Sequence, residues 1–121
     1  MKILFIVRES ELAASASAML ASAEHVVELV QNFSMARQIA WLVHDLVILD
    51  LEVDSNEAMG LLRDLRAISP HTPLLVLIPR FSLCDCVTAT ESGADEFLAK
   101  PFLLEDFLAR VQAAVVRSRE G

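Results

Sequence analysis

The sequence predicts an α/β fold: one doubly wound, five-stranded parallel sheet of order 2-1-3-4-5 with helices on both faces. Three observations carry this. Short continuous apolar runs recur along the chain, helix-period segments separate them, and no repeat or Gly/Ser linker breaks the alternation. Runs of this kind suit strands buried on both faces. Strands that alternate with helices are joined by right-handed crossovers, which keep them parallel.

The first run, Lys2–Val7, opens the sheet, and Leu12, Ala16, Met19 and Leu20 then form a helical stripe. Val26–Leu29 is the second strand. Met35, Ala36, Ile39 and Val43 mark the second helix, with Ser34 as its expected N-cap. Leu46–Asp50 is the third strand, and Leu61, Leu62, Leu65 and Ile68 mark a helix capped by Ser55 or Asn56. Leu74–Ile78 is the fourth strand. The fourth helix, Ser82–Ser92, rests on Leu83 and Val87, with Gly93 as a stop. Glu96–Ala99 is the fifth strand, and Leu104, Phe107, Leu108, Val111 and Val115 define the fifth helix. Residues 1–121 are read as a single domain of ordinary size, with no effector domain in the chain.

Composition excludes several classes. The chain is 55% hydrophobic, yet its longest apolar runs are far shorter than the roughly 20 residues a membrane-spanning helix needs. The N-terminal stretch lacks a signal-peptide pattern, so a cytoplasmic protein without a membrane partner is expected. With 10 basic and 17 acidic residues the net charge is −7, which argues against nucleic acid binding by this domain itself. Cys84 and Cys86 show no ligand spacing with His25, His44 or His71, so they are read as small helix side chains in a reducing compartment. Three glycines, none in a turn after the first strand, speak against a nucleotide-binding enzyme. No Ser/His/Asp or Cys/His set suggests hydrolysis, and no enzyme is expected.

In a doubly wound sheet the ligand crevice lies outside the carboxyl ends of the strands, where strand order reverses. Strands one and three flank that point. The strand ends carry Arg8, Glu9 and Ser10, then Asp50, then Ile78–Pro79–Arg80, then Lys100–Pro101. Two carboxylates and a lysine suit phosphoryl acceptance. The aspartate attacks phosphorus, a carboxylate-held divalent cation offsets charge, and the lysine binds a phosphoryl oxygen.

Three tracts carry a resemblance: Asp45-Leu-Val-Ile-Leu-Asp50-Leu, Leu61-Leu-Arg63-Asp-Leu-Arg66, and Gly93-Ala-Asp95-Glu-Phe97-Leu-Ala-Lys100-Pro101-Phe102. Along nearly its whole length the chain resembles the receiver domains of two-component response regulators. Its tail, Leu103-Leu-Glu105-Asp-Phe-Leu-Ala-Arg110-Val, is most similar to the branch whose receivers precede a winged-helix DNA-binding domain. The resemblance implies a flavodoxin-like receiver fold, with Asp50 as phosphoacceptor and Lys100 as the phosphate-binding lysine. It also implies a cis Lys100–Pro101 bond, and Phe97 as an aromatic that changes rotamer with activation. Glu9, Asp50 and the backbone carbonyl of Glu52 would hold Mg2+ when the domain is phosphorylated. A sensor histidine kinase is the implied partner, and a homodimer through the fourth helix, fifth strand and fifth helix the implied assembly.

The departures from that pattern all fall on the switch. Glu9 and Ser10 stand where the family has two adjacent acidic residues, with Arg8 just before them. Arg8 either opposes a cation, stands in for one by pairing with Asp50, or faces solvent. Ile78 replaces the switching Thr or Ser and cannot hydrogen-bond a phosphoryl oxygen. Pro79 follows it and fixes its own φ. Asp54 and Ala58 replace the usual Pro and Gly after the phosphoacceptor. The expectation is a receiver with Asp50 as nominal phosphoacceptor and a degraded metal site and switch, working independently of phosphorylation or weakly phosphorylated. The alternative is a fully phosphorylatable, Mg2+-dependent receiver. Glu52 and Arg80 are expected to pair over Asp50. Asp95, Glu96, Glu105 and Arg110 are positioned for cross-dimer ion pairs, but Cys86 and Thr88 leave the fourth helix without a basic residue. A weak dimer, or one held by Leu83 and Val87, is therefore expected.

Overall fold

Backbone groups of five apolar runs pair in parallel, and side chains then divide by the two-residue period of a strand. A computed structural model describes residues 1–38, 43–51, 56–79, 90–91 and 93–120, with the side chains of 56 and 117–120 left aside. The strands are β1 (Lys2–Ile6), β2 (Val26–Val30), β3 (Leu46–Asp50), β4 (Leu74–Ile78) and β5 (Glu96–Ala99). Their order is β2-β1-β3-β4-β5, as the sequence predicts. Leu4, Ile6, Val47, Leu49, Val76 and Ile78 point to one face, under α2 (Phe33–Gln38) and α3 (Asn56–Ile68). Ile3, Phe5, Leu46, Ile48, Leu75 and Leu77 point to the other, under α1 (Ser10–Ser22) and α4 (Leu104–Glu120). The C-terminal α4 is the fifth helix of the sequence reading. Of the fourth, only Thr90 and Glu91 are described, and both are helical; Leu83, Cys84, Cys86, Val87 and Thr88 lie outside the described residues.

Three local expectations need correction. β2 pairs only with β1, so its run is not buried on both faces: Val26 is 68% and Leu29 41% exposed. The N-cap of α2 is Asn32 and not Ser34. The Asn32 carboxamide oxygen accepts from the backbone N–H of Ser34 at 2.7 Å and of Met35 at 3.2 Å, satisfying first-turn donors that would otherwise be orphaned. Starting the helix at Phe33 turns Phe33 and Ala36 into the core and leaves Met35 exposed. On α3 the buried set is Ala58, Leu61, Leu62 and Leu65, while Ile68 in the last turn is exposed. That helix begins at Asn56, so its cap position, residue 55, lies outside the described residues.

Helix α1 ends in a Schellman turn, in which His25 N–H donates to Leu20 O and Glu24 N–H to Ala21 O. Glu24 takes the left-handed position of that turn, with φ of 67°.

Candidate functional site

Side-chain alternation places the site chemistry. Asp50 ends β3 on the face of Leu46 and Ile48, and Lys100 follows β5 on the face of Leu98. The two reach each other across the end of β4: Lys100 Nζ lies 2.6 Å from Asp50 Oδ1. The Asp50 side chain is 1% exposed and that of Lys100 23%. A carboxylate withdrawn so far from water needs a facing cation, and the ammonium supplies it. Position is fixed through the backbone as well, since Lys100 N–H donates to Ile78 O at 2.9 Å. The Lys100–Pro101 bond is cis, as the resemblance implies.

Ile78 is fully buried in the α2/α3 side of the core, on the face of the sheet opposite Asp50. Phe97 is half-buried against that same core. Glu52, Asp54 and Arg80 lie outside the described residues, and with them the expected Glu52–Arg80 pair and the Glu52 carbonyl.

The β1–α1 junction falls one residue earlier than the strand end read from the sequence, with Ser10 already in the helix. Val7 N–H still donates to Val30 O on the neighbouring strand, and α1 begins at Ser10 with Glu9 at the N-cap position. Val7, Arg8 and Glu9 lie between strand and helix. The Arg8 guanidinium is held: Nη2 lies 2.7 Å from Glu57 Oε2 in the first turn of α3, and the group stacks 4.2 Å from the centre of the Phe33 ring. Both side chains of this ion pair are partly exposed. Glu9 is exposed. Glu57 and Phe33 were not singled out from the sequence; an acidic residue in a helix's first turn was the available sign.

A second cluster, around Arg66, was also missed. Its guanidinium donates to the carbonyls of Gly93 (2.6 Å), Pro70 (2.8 Å) and Thr72 (2.9 Å) and to Asp95 Oδ2 (3.0 Å). Asp95 Oδ2 also accepts from Leu74 N–H at 2.8 Å. The end of α3, the start of β4 and the turn before β5 are thereby joined. Beside it, Glu96 pairs with Arg110 of α4 at 3.2 Å. Three of the residues expected to reach across a dimer are thus engaged within the chain.

Away from the site, His25 has its pKa lowered below the usual histidine value, by burial first and by the nearby N-terminal ammonium second. His44, whose side chain is 1% exposed, meets Glu28 at 2.8 Å.

A doubly wound sheet with a buried carboxylate facing an ammonium at the strand ends is the arrangement that a receiver-type signalling domain would have. The sequence matches the response regulator receiver domain over residues 3–112, and the chain belongs to that family. It is accordingly a receiver of two-component signal transduction and not an enzyme. The chain is 32% identical to the two-component response regulator PhoP of Pseudomonas aeruginosa over 98% of its own length and 53% of that protein's. It is 40% identical to the transcriptional regulatory protein CiaR of Streptococcus pneumoniae over 63% of this chain and 34% of that protein. The chain therefore spans about half, or less, of the length of these relatives. Among solved structures, a receiver domain from Clostridium thermocellum superposes with a TM-score of 0.85 at 25% identity, covering 98% of this chain and 97% of that one. The BeF3-activated receiver domain of Klebsiella pneumoniae RstA gives 0.85 at 27% identity, covering 95% and 98%.

Receiver domains typically take Mg2+ for phosphorylation. Mg2+ prefers carboxylate and water oxygens in near-octahedral array. Here the junction offers one carboxylate, Glu9, and a guanidinium, and Asp50 is already paired with Lys100. Among the described residues, no group of three or more His, Cys, Asp or Glu side chains is placed to hold a metal. The described side chains alone do not complete a carboxylate set for the ion, and the expected third ligand, the Glu52 carbonyl, lies outside the described residues. No helix among the described residues is long and apolar enough to cross a membrane.

Proposed function

We propose that this receiver works in two-component signalling as a partner-gated docking module, with Asp50 as nominal phosphoacceptor but with output that does not depend on phosphorylation. The observation that carries this reading is Ile78. A hydroxyl at the end of β4 would couple a phosphoryl group to the strand-four loop by hydrogen bonding. Ile78 has no donor, and its side chain is fully buried on the face away from Asp50. Pro79 beside it restricts φ, which stiffens the segment that would have to move.

A second reading, in which Asp50 accepts a phosphoryl group from a sensor histidine kinase, is favoured by the Lys100 ammonium, already 2.6 Å from the acceptor carboxylate. Under both readings residues 1–121 form one receiver domain that acts in the cytoplasm beside an effector on the full-length protein, and a histidine kinase is its upstream partner. Self-association through the segment 82–92, β5 and α4 is weak. Nucleic acid is not bound by this domain, since its net charge of −7 repels phosphates.

Incubation with acetyl phosphate and Mg2+, followed by intact-mass measurement, tests the reading. No stable gain of one phosphoryl group is expected. A stoichiometric gain that Asp50→Asn abolishes would overturn it in favour of the second reading.

A further inference from the structure

Lys100 delivers its charge to Asp50 from a segment that belongs to neither a strand nor a helix. β5 ends at Ala99 and α4 starts at Leu104, so residues 100–103 carry the chain out of the sheet. Upstream the segment is fixed to the sheet, because Lys100 N–H donates to Ile78 O at 2.9 Å. Downstream it is fixed to the helix. The Phe102 ring stacks on that of Phe107, with centres 5.1 Å apart and planes at 27°, a separation at which aromatic pairs attract. Phe107 is fully buried in the core under α1 and α4, and its N–H donates to Leu103 O at 3.0 Å. Pro101, between Lys100 and Phe102, has its φ set by its own ring. Few soft torsions are therefore left between the lysine Cα and an aromatic ring held by the core.

A lysine ammonium rides on a flexible four-carbon stem and loses rotamer freedom when held in one place. Its Nζ is nevertheless 2.6 Å from a carboxylate whose side chain is 1% exposed. Phe102 packs against the core on the face of the sheet where Asp50 lies. We propose that Phe102 is a positioning residue for Lys100: its ring, stacked on Phe107, fixes the segment between β5 and α4 so that the ammonium stays at the Asp50 carboxylate. The inference rests on the reading of Asp50 and Lys100 as the functional pair, and it names what holds that pair together.

The chain has two lysines, Lys2 and Lys100, so trace acetylation with acetic anhydride and peptide mass spectrometry read each separately, with the exposed Lys2 as reference in the same molecule. An ammonium that keeps its proton in an ion pair has no lone pair to offer the reagent. Asp50→Asn removes the partner charge and sets the upper limit of the Lys100 to Lys2 ratio. Phe102→Ala is expected to raise that ratio at least halfway from the wild-type value to the limit. Phe102→Leu, which fills the space without a stacked ring, is expected to move it in the same direction with less risk to folding. Phe102→Tyr keeps the ring and is expected to react as wild type. Val111→Ala opens the same core further along α4 and is expected to leave the ratio unchanged, which separates positioning from general loosening. A ratio unmoved in both Phe102→Ala and Phe102→Leu, or raised as much by Val111→Ala, would overturn the proposal. So would a Phe102→Tyr protein that reacts like Phe102→Ala, or a wild-type ratio already at the Asp50→Asn limit.

These outcomes are separate from those that test the functional reading. An unmoved ratio in a wild type and variants that are never phosphorylated defeats the role of Phe102 and leaves the docking reading standing. A stoichiometric phosphoryl gain on Asp50, together with a ratio that rises in Phe102→Ala, defeats the docking reading and leaves Phe102 as the residue that positions Lys100.

Discussion

Moving a carboxylate out of water costs several kcal/mol unless a cation faces it, and removing that cation is worse than never having had the pair. Asp50 is in this position. Its side chain is 1% exposed and Lys100 sits 2.6 Å away. Lys100→Met is expected to destabilise the domain by about 2 kcal/mol, less than for a wholly buried pair because the ammonium is partly solvated. Adding Asp50→Asn in the same chain should recover most of that loss. Urea unfolding of the two single variants and the double variant checks this through the coupling between them. A loss below about 0.5 kcal/mol would identify an ordinary surface pair. These two residues were legible in the sequence because strand ends and a contiguous motif carry them. Arg8 was legible only as a charge. Its anchors come from α2 and α3, and no local pattern says that a guanidinium at the end of β1 will find a ring and a carboxylate there.

Among the elements, the strands read most clearly. Runs such as Leu46–Asp50 and Leu74–Ile78 are apolar on both faces because both faces are covered, and both have the bounds the sequence predicts. β2 keeps only part of that logic: Val30 is buried and Val27 packs against the core, while Val26 and Leu29 are exposed at the sheet edge. The Arg66 cluster was illegible for a related reason. It joins α3 to the turn before β5 through carbonyls, and carbonyls leave no trace in a sequence. Gly93 is the part of it that the sequence did show, as a helix stop. The structure adds a second need for glycine there. Its φ is 112°, and a Cβ would fall 2.8 Å from Arg66 Cγ. Gly93→Ala is therefore expected to cost about 3 kcal/mol, from backbone strain together with displaced guanidinium hydrogen bonds. Arg66→Ala should cost a comparable amount. If both act on one network, the double variant loses clearly less than the sum of the two, as chemical denaturation would reveal; strict additivity would break the link between them.

At the scale of the whole molecule, the question is what remains to hold two copies together. Asp95 is engaged by Arg66, and Glu96 by Arg110, each inside one chain. A cross-dimer ion pair through Asp95, Glu96 or Arg110 would have to compete with one of these, so little net electrostatic gain is left for association through them. Leu103 and Leu104, exposed at the start of α4, offer apolar contact instead. Each copy also carries a net charge of −7, so two copies repel. Salt screens that repulsion over about 10 Å at 0.1 M ionic strength. The sign of the salt effect therefore distinguishes the two kinds of interface. Association held by ion pairs weakens as salt is added; association held by apolar contact against like net charge is unchanged or strengthens. Sedimentation at low and high sodium chloride is expected to show a mostly monomeric domain whose weak self-association does not fall with salt. A tight dimer that dissociates on adding salt would mean that the Arg66–Asp95 and Arg110–Glu96 pairs exchange across copies, and the picture of an ion-pair network closed within one chain would fail.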